Sequence, residues 1–368
     1  MPTDEAQGIL DRRAQLRTSA RRLHGQGRTR PHELLEAAAA WCREHEVEWD
    51  HYGRGAILQD FEAKVADLLG FEAARFMPSG TMAQQIALRI WADRAGSSHV
   101  GMHPTAHVEL HEERGYAHLH GLRVSLVGPE RTPLLAEHLR GLSEPIAALL
   151  VELPIREAGG QLPTWDELEQ LKFAAAELSV PLHLDGARLW ECGPAYGRAL
   201  SEITRGFASC YVSFYKGIGA LPGSMLLGAK DFVDQAAVWQ KRHGGNLFSL
   251  APNAATAAMR LDERLARMPL WLERARSMAA TLNAIDGVRT LPDVPHTNLF
   301  HLYLDLDAER ALAARDAVAE QCGIWLYESI EPADRPGTSR FELYVGDAAM
   351  ALSDEEVGEA FAMLLQRD

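Results

Sequence analysis

VPLHLDGARLWECGPAYGRALSEITRGFASCYVSFYKG, residues 180–217, holds the pattern that decides the fold. Two apolar runs in it, VPLHLDGA and SCYVSFYKG, read as buried strands. Each ends on a charge: Asp185 in the first, and Lys216 in the second, 31 positions later. A carboxylate or an ammonium is costly to bury without a partner. Charges set where buried strands end therefore point to the edge of an open α/β sheet, where such sheets form their sites.

Outward from this stretch the pattern repeats. RVSLVG (123–128) and IAALLVEL (146–153) read as further strands, and TWDELEQLKFAAAELS (164–179) is a crossover helix opened by a Thr164-x-x-Glu167 capping box. ILQDFEAKVADLLG (57–70) has helical apolar spacing and stops at a glycine. AARFMPSG (73–80) is a strand and turn that lead into the helix TMAQQIALRIWADRAG, with Ser79 or Thr81 suited to cap it. Beyond Leu250 the texture changes. Residues 251–285 form one or two long helices, then HTNLFHLYL, GIWLYES and SRFELYVG read as strands of a second sheet before the helix SDEEVGEAFAMLLQR. The expected architecture is α/β: a large domain with a mainly parallel mixed sheet over 51–250, a smaller α+β domain over 251–368, and a helical segment over 1–50.

The glycines around Lys216, in FYKGIGALPGS (214–224), fit neither nucleotide fingerprint. In a G-x-G-x-x-G reading, the third position after Gly217 and Gly219 falls on Pro222, and a P-loop needs glycine directly before its lysine. The formal net charge of -14 argues against a nucleic-acid partner. The basic stretch RRAQLRTSARRLHGQGRTR (12–30) lacks interleaved aromatics and reads as a solvated helix and loop. Four scattered cysteines without a paired spacing suggest a reducing compartment, the charged amino-terminal stretch does not read as a signal peptide, and the longest apolar run, PIAALLVELPI, is too short for a bilayer. A cytoplasmic protein with no membrane partner is expected.

Three further stations accompany Lys216. In PSGTM (78–82), Gly80 admits a close backbone approach, and Thr81 sets a hydroxyl beside a helix N-terminus that favours a phosphate. In HPTAHVELHEE (103–113), Pro104 removes His103 from helical geometry and leaves His107 and His111 on one face, with Glu112 adjacent; no metal is needed to explain them. In HLDGARLW, Asp185 is either bridged to Arg188 or aimed at a cationic ring nitrogen, with Arg188 placed to grip a substrate anion. A lysine at a buried strand end makes sense when its amine is consumed in a Schiff base. Together the stations describe a pyridoxal 5'-phosphate (PLP) site.

FMPSGTMAQQIAL, TAHVELHEE, HLDGARLW and YKGIGALPGSMLLG make the chain similar, over about residues 22 to 365, to the low-specificity L-threonine aldolases. These lie in the β-eliminating-lyase-like branch of the fold-type I PLP enzymes. The resemblance implies Lys216 as the Schiff-base lysine, Asp185 as partner of the pyridine nitrogen, and His107 as a ring-stacking residue that can also move a proton. It further implies Ser79, Gly80 and Thr81 at the phosphate, Arg188 and Arg340 at the substrate carboxylate, and a homodimer or homotetramer. The implied reaction is retro-aldol cleavage of an L-β-hydroxy-α-amino acid to glycine and an aldehyde; the alternative is β-elimination on another, acidic, amino acid.

Departures lie in the substrate shell. Gly25 stands where the family has a serine, Arg54 where it has an acid, and Phe248 where it has an arginine near the phosphate. The ENTHN motif is replaced by ELPIRE with Arg156 close by. The gained arginines, Arg54 and Arg156, are expected to meet a second anionic group on the substrate.

Overall fold

The computed structural model describes residues 4–27 and 29–366. Contacts group the chain into two compact units, Thr29–Met268 and, drawn from both ends, Met1–Arg28 with Pro269–Asp368. The sequence reading drew its limits at 50 and 250 instead. At the second limit a single helix, Ala251–Asn283, runs through Met268 and Pro269, so composition carries no mark of it.

From the amino end, helix α1 (Asp4–Ser19) and strand β1 (Arg21–Arg22) belong to the smaller unit, as the contacts divide the chain. The larger unit follows with α2 (Pro31–Glu44), α3 (Ala56–Leu69), β2 (Ala73–Met77), α4 (Gly80–Ala95), β3 (His99–Met102), α5 (His107–Leu110), α6 (Gly115–His120) and β4 (Arg123–Leu126). It continues with α7 (Ala136–Arg140), β5 (Leu149–Glu152), α8 (Trp165–Glu177), β6 (Leu182–Gly186), α9 (Cys192–Tyr196), α10 (Leu200–Thr204), β7 (Ser209–Ser213), β8 (Ser224–Gly228) and α11 (Lys230–Arg242).

Its seven strands run in the order β2-β8-β7-β6-β5-β3-β4. β8 is antiparallel to both neighbours, and every other pairing is parallel. β5, β6 and β7 are buried at every position, which is why they read as unbroken apolar runs. Ser79, not Thr81, caps α4: its hydroxyl accepts the Met82 N–H at 3.3 Å. The Thr164–Glu167 capping box forms as expected. Two strands of this sheet escaped the sequence reading. β3 is only four residues long and includes a glycine, and β8 starts directly after the glycine-rich turn that ends at Gly223.

Helix α12 (Ala251–Asn283) is a single helix with Pro269 inside it. After it come β9 (Val288–Leu291), β10 (Leu299–Leu304), α13 (Ala308–Cys322), β11 (Ile324–Trp325), β12 (Glu331–Pro332), β13 (Ser339–Tyr344) and α14 (Asp354–Leu364). An antiparallel sheet in the order β12-β13-β10-β9 packs around Phe300, Leu302, Phe341 and Phe361. GIWLYES does not join that sheet; β11 pairs with β1 instead.

The basic amino-terminal stretch is neutralised inside this unit. Arg12 pairs with Glu320, Arg13 with Asp316 at 2.5 Å, Arg17 with Glu328 at 2.8 Å and Arg21 with Glu356 at 2.7 Å. Gly25 has φ +85 and donates its N–H to Tyr344. A serine would be strained in that backbone, which accounts for the glycine.

Candidate active site

Lys216 stands three residues past β7, and its position is set by the residue before Tyr215. Phe214 is fully buried and packs its ring on Phe61, Phe76 and Trp190 at centroid distances of 5.0, 5.9 and 5.9 Å. The backbone then turns back on itself. Gly219 donates to the Lys216 carbonyl at 3.0 Å, Ala220 to that of Phe214 at 2.9 Å, and Gly219 itself takes φ +72. The glycines serve this turn.

Asp185 sits on the neighbouring strand end and is 1% exposed. Its Oδ1 accepts the Ala187 N–H at 3.0 Å. Burial raises its pKa, while the Lys216 charge, the Ala187 N–H and His107 pull it down. Lys216 shows the mirror effect. Burial lowers its pKa, helped by Arg188 and opposed by Asp185 and Glu152. A lysine so shifted carries more neutral, nucleophilic amine than an exposed one.

His107 opens α5, and its Nδ1 bonds Glu112 Oε1 at 3.1 Å. Glu112 is buried and is also approached by Gln85 Nε2 at 3.4 Å. A carboxylate on Nδ1 selects the tautomer with that nitrogen protonated and leaves Nε2 for other work. The Glu112 bond raises the His107 pKa, burial lowers it, and Asp185 and Lys216 act on it in opposite directions. His111 stands beside it with ring centroids 5.2 Å apart, and its Nε2 bonds Glu157 Oε1 at 2.9 Å. Glu157 also takes an Arg156 N–H at 2.9 Å. His103 plays no part here: it is buried against Thr105, Pro129 and Thr132, and burial lowers its pKa.

Gly80 is required by packing. A Cβ built on it would run into the Tyr211 ring, which comes from β7 in register with Asp185. Thr81 lies exposed beside it on the first turn of α4. Of the remaining arginines, Arg188 and Arg156 both act on the Lys216 charge. Arg188 follows β6, is mostly buried and approaches Glu191 at 4.0 Å. Arg156 follows β5. Arg54 lines a separate cleft of about 850 Å³ with His51, Tyr52 and Lys241. Arg340 lies on β13 opposite Glu331, 3.9 Å away.

Sequence reasoning passed over Glu152, Glu157 and Tyr211. A glutamate closing an apolar strand, as in LLVE, was the available signal for the first. Among the described residues no cluster of three or more histidine, cysteine, aspartate or glutamate side chains is arranged to hold a metal, and no helix is long and apolar enough to cross a membrane.

Comparison with known proteins gives the family. The family model described as beta-eliminating lyase covers residues 27–307. The chain belongs to the beta-eliminating lyase family. Among curated relatives, a low specificity L-threonine aldolase of Escherichia coli (strain K12) is 31% identical over 270 residues, which is 72% of this chain and 79% of the relative. Among solved structures, a candidate L-allo-threonine aldolase from Listeria monocytogenes is 37% identical with a TM-score of 0.91, covering 97% of this chain and 100% of that one. An Exiguobacterium chain described as a candidate aromatic amino acid beta-eliminating lyase/threonine aldolase is 40% identical with a TM-score of 0.88, covering 95% of this chain and 98% of that one. The beta-eliminating lyase assignment carries the fold-type I architecture read from the sequence: a mixed, mostly parallel sheet and a carboxy-terminal antiparallel one.

Proposed function

We propose that this chain is a PLP-dependent lyase that cleaves an L-β-hydroxy-α-amino acid of the threonine type into glycine and an aldehyde. The observation that carries the reading is the convergence of a buried acid, a lysine of lowered pKa and a carboxylate-oriented imidazole at adjoining sheet and helix ends.

The residues fit the cofactor. Asp185 suits a ring nitrogen that carries a proton, Lys216 an aldehyde, and the flat face of His107 an aromatic ring. The first turn of α4, with Ser79, Gly80 and Thr81, suits a phosphate. A buried oxygen in the same cluster, Oε2 of Glu152, still lacks a hydrogen-bond partner among the described residues. When bound, PLP supplies an electron sink for a carbanion at the substrate Cα.

The protein's own part is then as follows. Asp185 keeps its negative charge against the ring nitrogen, helped by the Ala187 N–H. Arg188, the strongest charge acting on Lys216, takes the substrate carboxylate. His107, fixed through Nδ1 by Glu112, accepts the β-hydroxyl proton at Nε2 as the carbon–carbon bond breaks. Arg156, with part of its charge taken by Glu157, is assigned to a second anionic group on the substrate. Arg340 is assigned to the substrate carboxylate by resemblance alone, and Arg54 to a second anionic group only because it replaces an acid of the family.

We also read the protein as a homo-oligomer. Trp49, Tyr52 and Phe248 are 65%, 56% and 62% exposed, and Tyr52 and Phe248 pack edge to face. Aromatic surface of this kind supports burial against a second copy. Light scattering on the purified protein reads its mass. The four cysteines are unpaired thiols, which suits a reducing compartment.

The deciding experiment is a product assay of the PLP-loaded protein on a panel of β-hydroxy amino acids. Glycine with an aldehyde supports the proposal. Ammonia with a keto acid instead would replace it with β-elimination.

A further inference from the structure

One buried acid beside the catalytic cluster has no task in the mechanism. Glu152 closes β5 and lies opposite Asp185 in the parallel register of β5 and β6. Residues so paired project from the same face of the sheet, with their strands about 4.8 Å apart. Glu152 is 8% exposed. Its Oε1 accepts the Arg156 N–H at 3.1 Å, whereas its Oε2 is sealed from water and meets no partner among the described residues.

Two buried carboxyls side by side do not both ionise readily, because each charge raises the cost of the other. The groups that act on Glu152 come from every neighbouring element. Asp185 on β6 disfavours its ionisation. The Arg156 N–H, Lys216 beyond β7 and His107 on α5 favour it, with Glu112 and Arg188 one contact further out. Burial outweighs the favourable charges and pushes the Glu152 carboxyl up to about 7. Asp185 is the member drawn down by the Lys216 charge and the Ala187 N–H, and its charge is what raises Glu152, so the negative charge of the pair is placed on Asp185. A protonated Glu152 turns its orphan oxygen into an O–H donor.

We propose that Glu152 is a cofactor-binding residue: a neutral carboxyl that donates from Oε2 to an acceptor atom of bound PLP, leaving the negative charge of the pair on Asp185. This rests on PLP being the cofactor. Above neutrality Glu152 loses the donor and adds a second negative charge beside Asp185, so cofactor binding weakens.

The test is titration of PLP onto the cofactor-free protein between pH 6 and pH 8, followed by absorbance, for wild type, Glu152→Gln and Glu152→Ala. Titration of PLP itself is common to all three and cancels in the ratios. Glutamine keeps a neutral donor and cannot ionise. The ratio of wild-type to Glu152→Gln dissociation constants is therefore expected to rise about fivefold or more from pH 6 to pH 8. Glu152→Ala, which keeps no donor, is expected to bind about tenfold more weakly than wild type at pH 6. A ratio that stays flat across this range overturns the proposal, as does an alanine variant that binds PLP as wild type does. Should alanine fail to fold, the near-isosteric glutamine decides alone. If wild type itself takes up no PLP, the cofactor reading falls and this inference with it; if wild type binds and the variants track it, only the role of Glu152 falls.

Discussion

Two charged regions of this molecule follow opposite rules. The amino-terminal helix α1 carries Arg12, Arg13 and Arg17, which pair with Glu320, Asp316 and Glu328 and are left partly in water; Asp316 is shared with Arg315 and Glu328 with Arg22. The cluster at the ends of β5, β6 and β7 holds Glu152, Asp185 and Lys216 out of water, and their protonation is shifted by burial before any partner acts. In the first region solvent screens each pair, so its contribution to stability is small. In the second, low polarity magnifies every charge, and on the proposed reading a bound cofactor completes the groups. Both regions hold acids and bases; desolvation separates them.

The sharpest way to break this contrast is at Lys216. If it is the buried amine that a cofactor consumes, Lys216→Ala lowers kcat/KM by at least about a thousandfold and abolishes the visible absorbance of the PLP-loaded protein. Retention of both would remove the site reading altogether. A smaller effect is expected at Gly80, where the contrast depends on tight packing. Gly80→Ala forces the Tyr211 ring to shift and costs about 1–3 kcal/mol in chemical denaturation. An unchanged midpoint would show that the strand–helix junction yields easily.

Next comes the tuning of His107. Glu112 is the largest cause of its raised pKa, so Glu112→Gln lowers that pKa. Because His107 must be unprotonated to accept a proton, the acid limb of the kcat/KM profile moves to lower pH, and the rate at its plateau falls by roughly tenfold as the ring loses its orientation. A profile that keeps its acid limb in place would assign the proton transfer elsewhere. The smallest effect belongs to α1. Arg17→Gln should change unfolding free energy by less than about 1 kcal/mol, and the difference should shrink further in 1 M salt. A larger, salt-resistant loss would mean that the two regions do not differ in the way described.

Much of this could be read along the chain. Apolar runs of strand length, capped helices and charges at strand ends depend on local chemistry, so the α/β architecture was visible in residue order, and Lys216, Asp185 and His107 could be picked out there as candidates. Ser79 could not be separated from Thr81 as the cap, because both carry a hydroxyl and only backbone geometry chooses. The four-residue β3 left too short a pattern to register, and β11 carried strand chemistry without naming its partner.

What the sequence settled by itself was which residues are too polar to be buried cheaply and yet lie among residues that will be buried. Only the tertiary structure decided how those charges meet. It set Glu152 opposite Asp185, tied His107 to Glu112 and His111 to Glu157, and gave the arginines of α1 their acids some 300 positions away. The physical reason is that burial is a local property of composition, whereas a pairing depends on strand register and on distance in space, and neither is written in the spacing of residues along the chain.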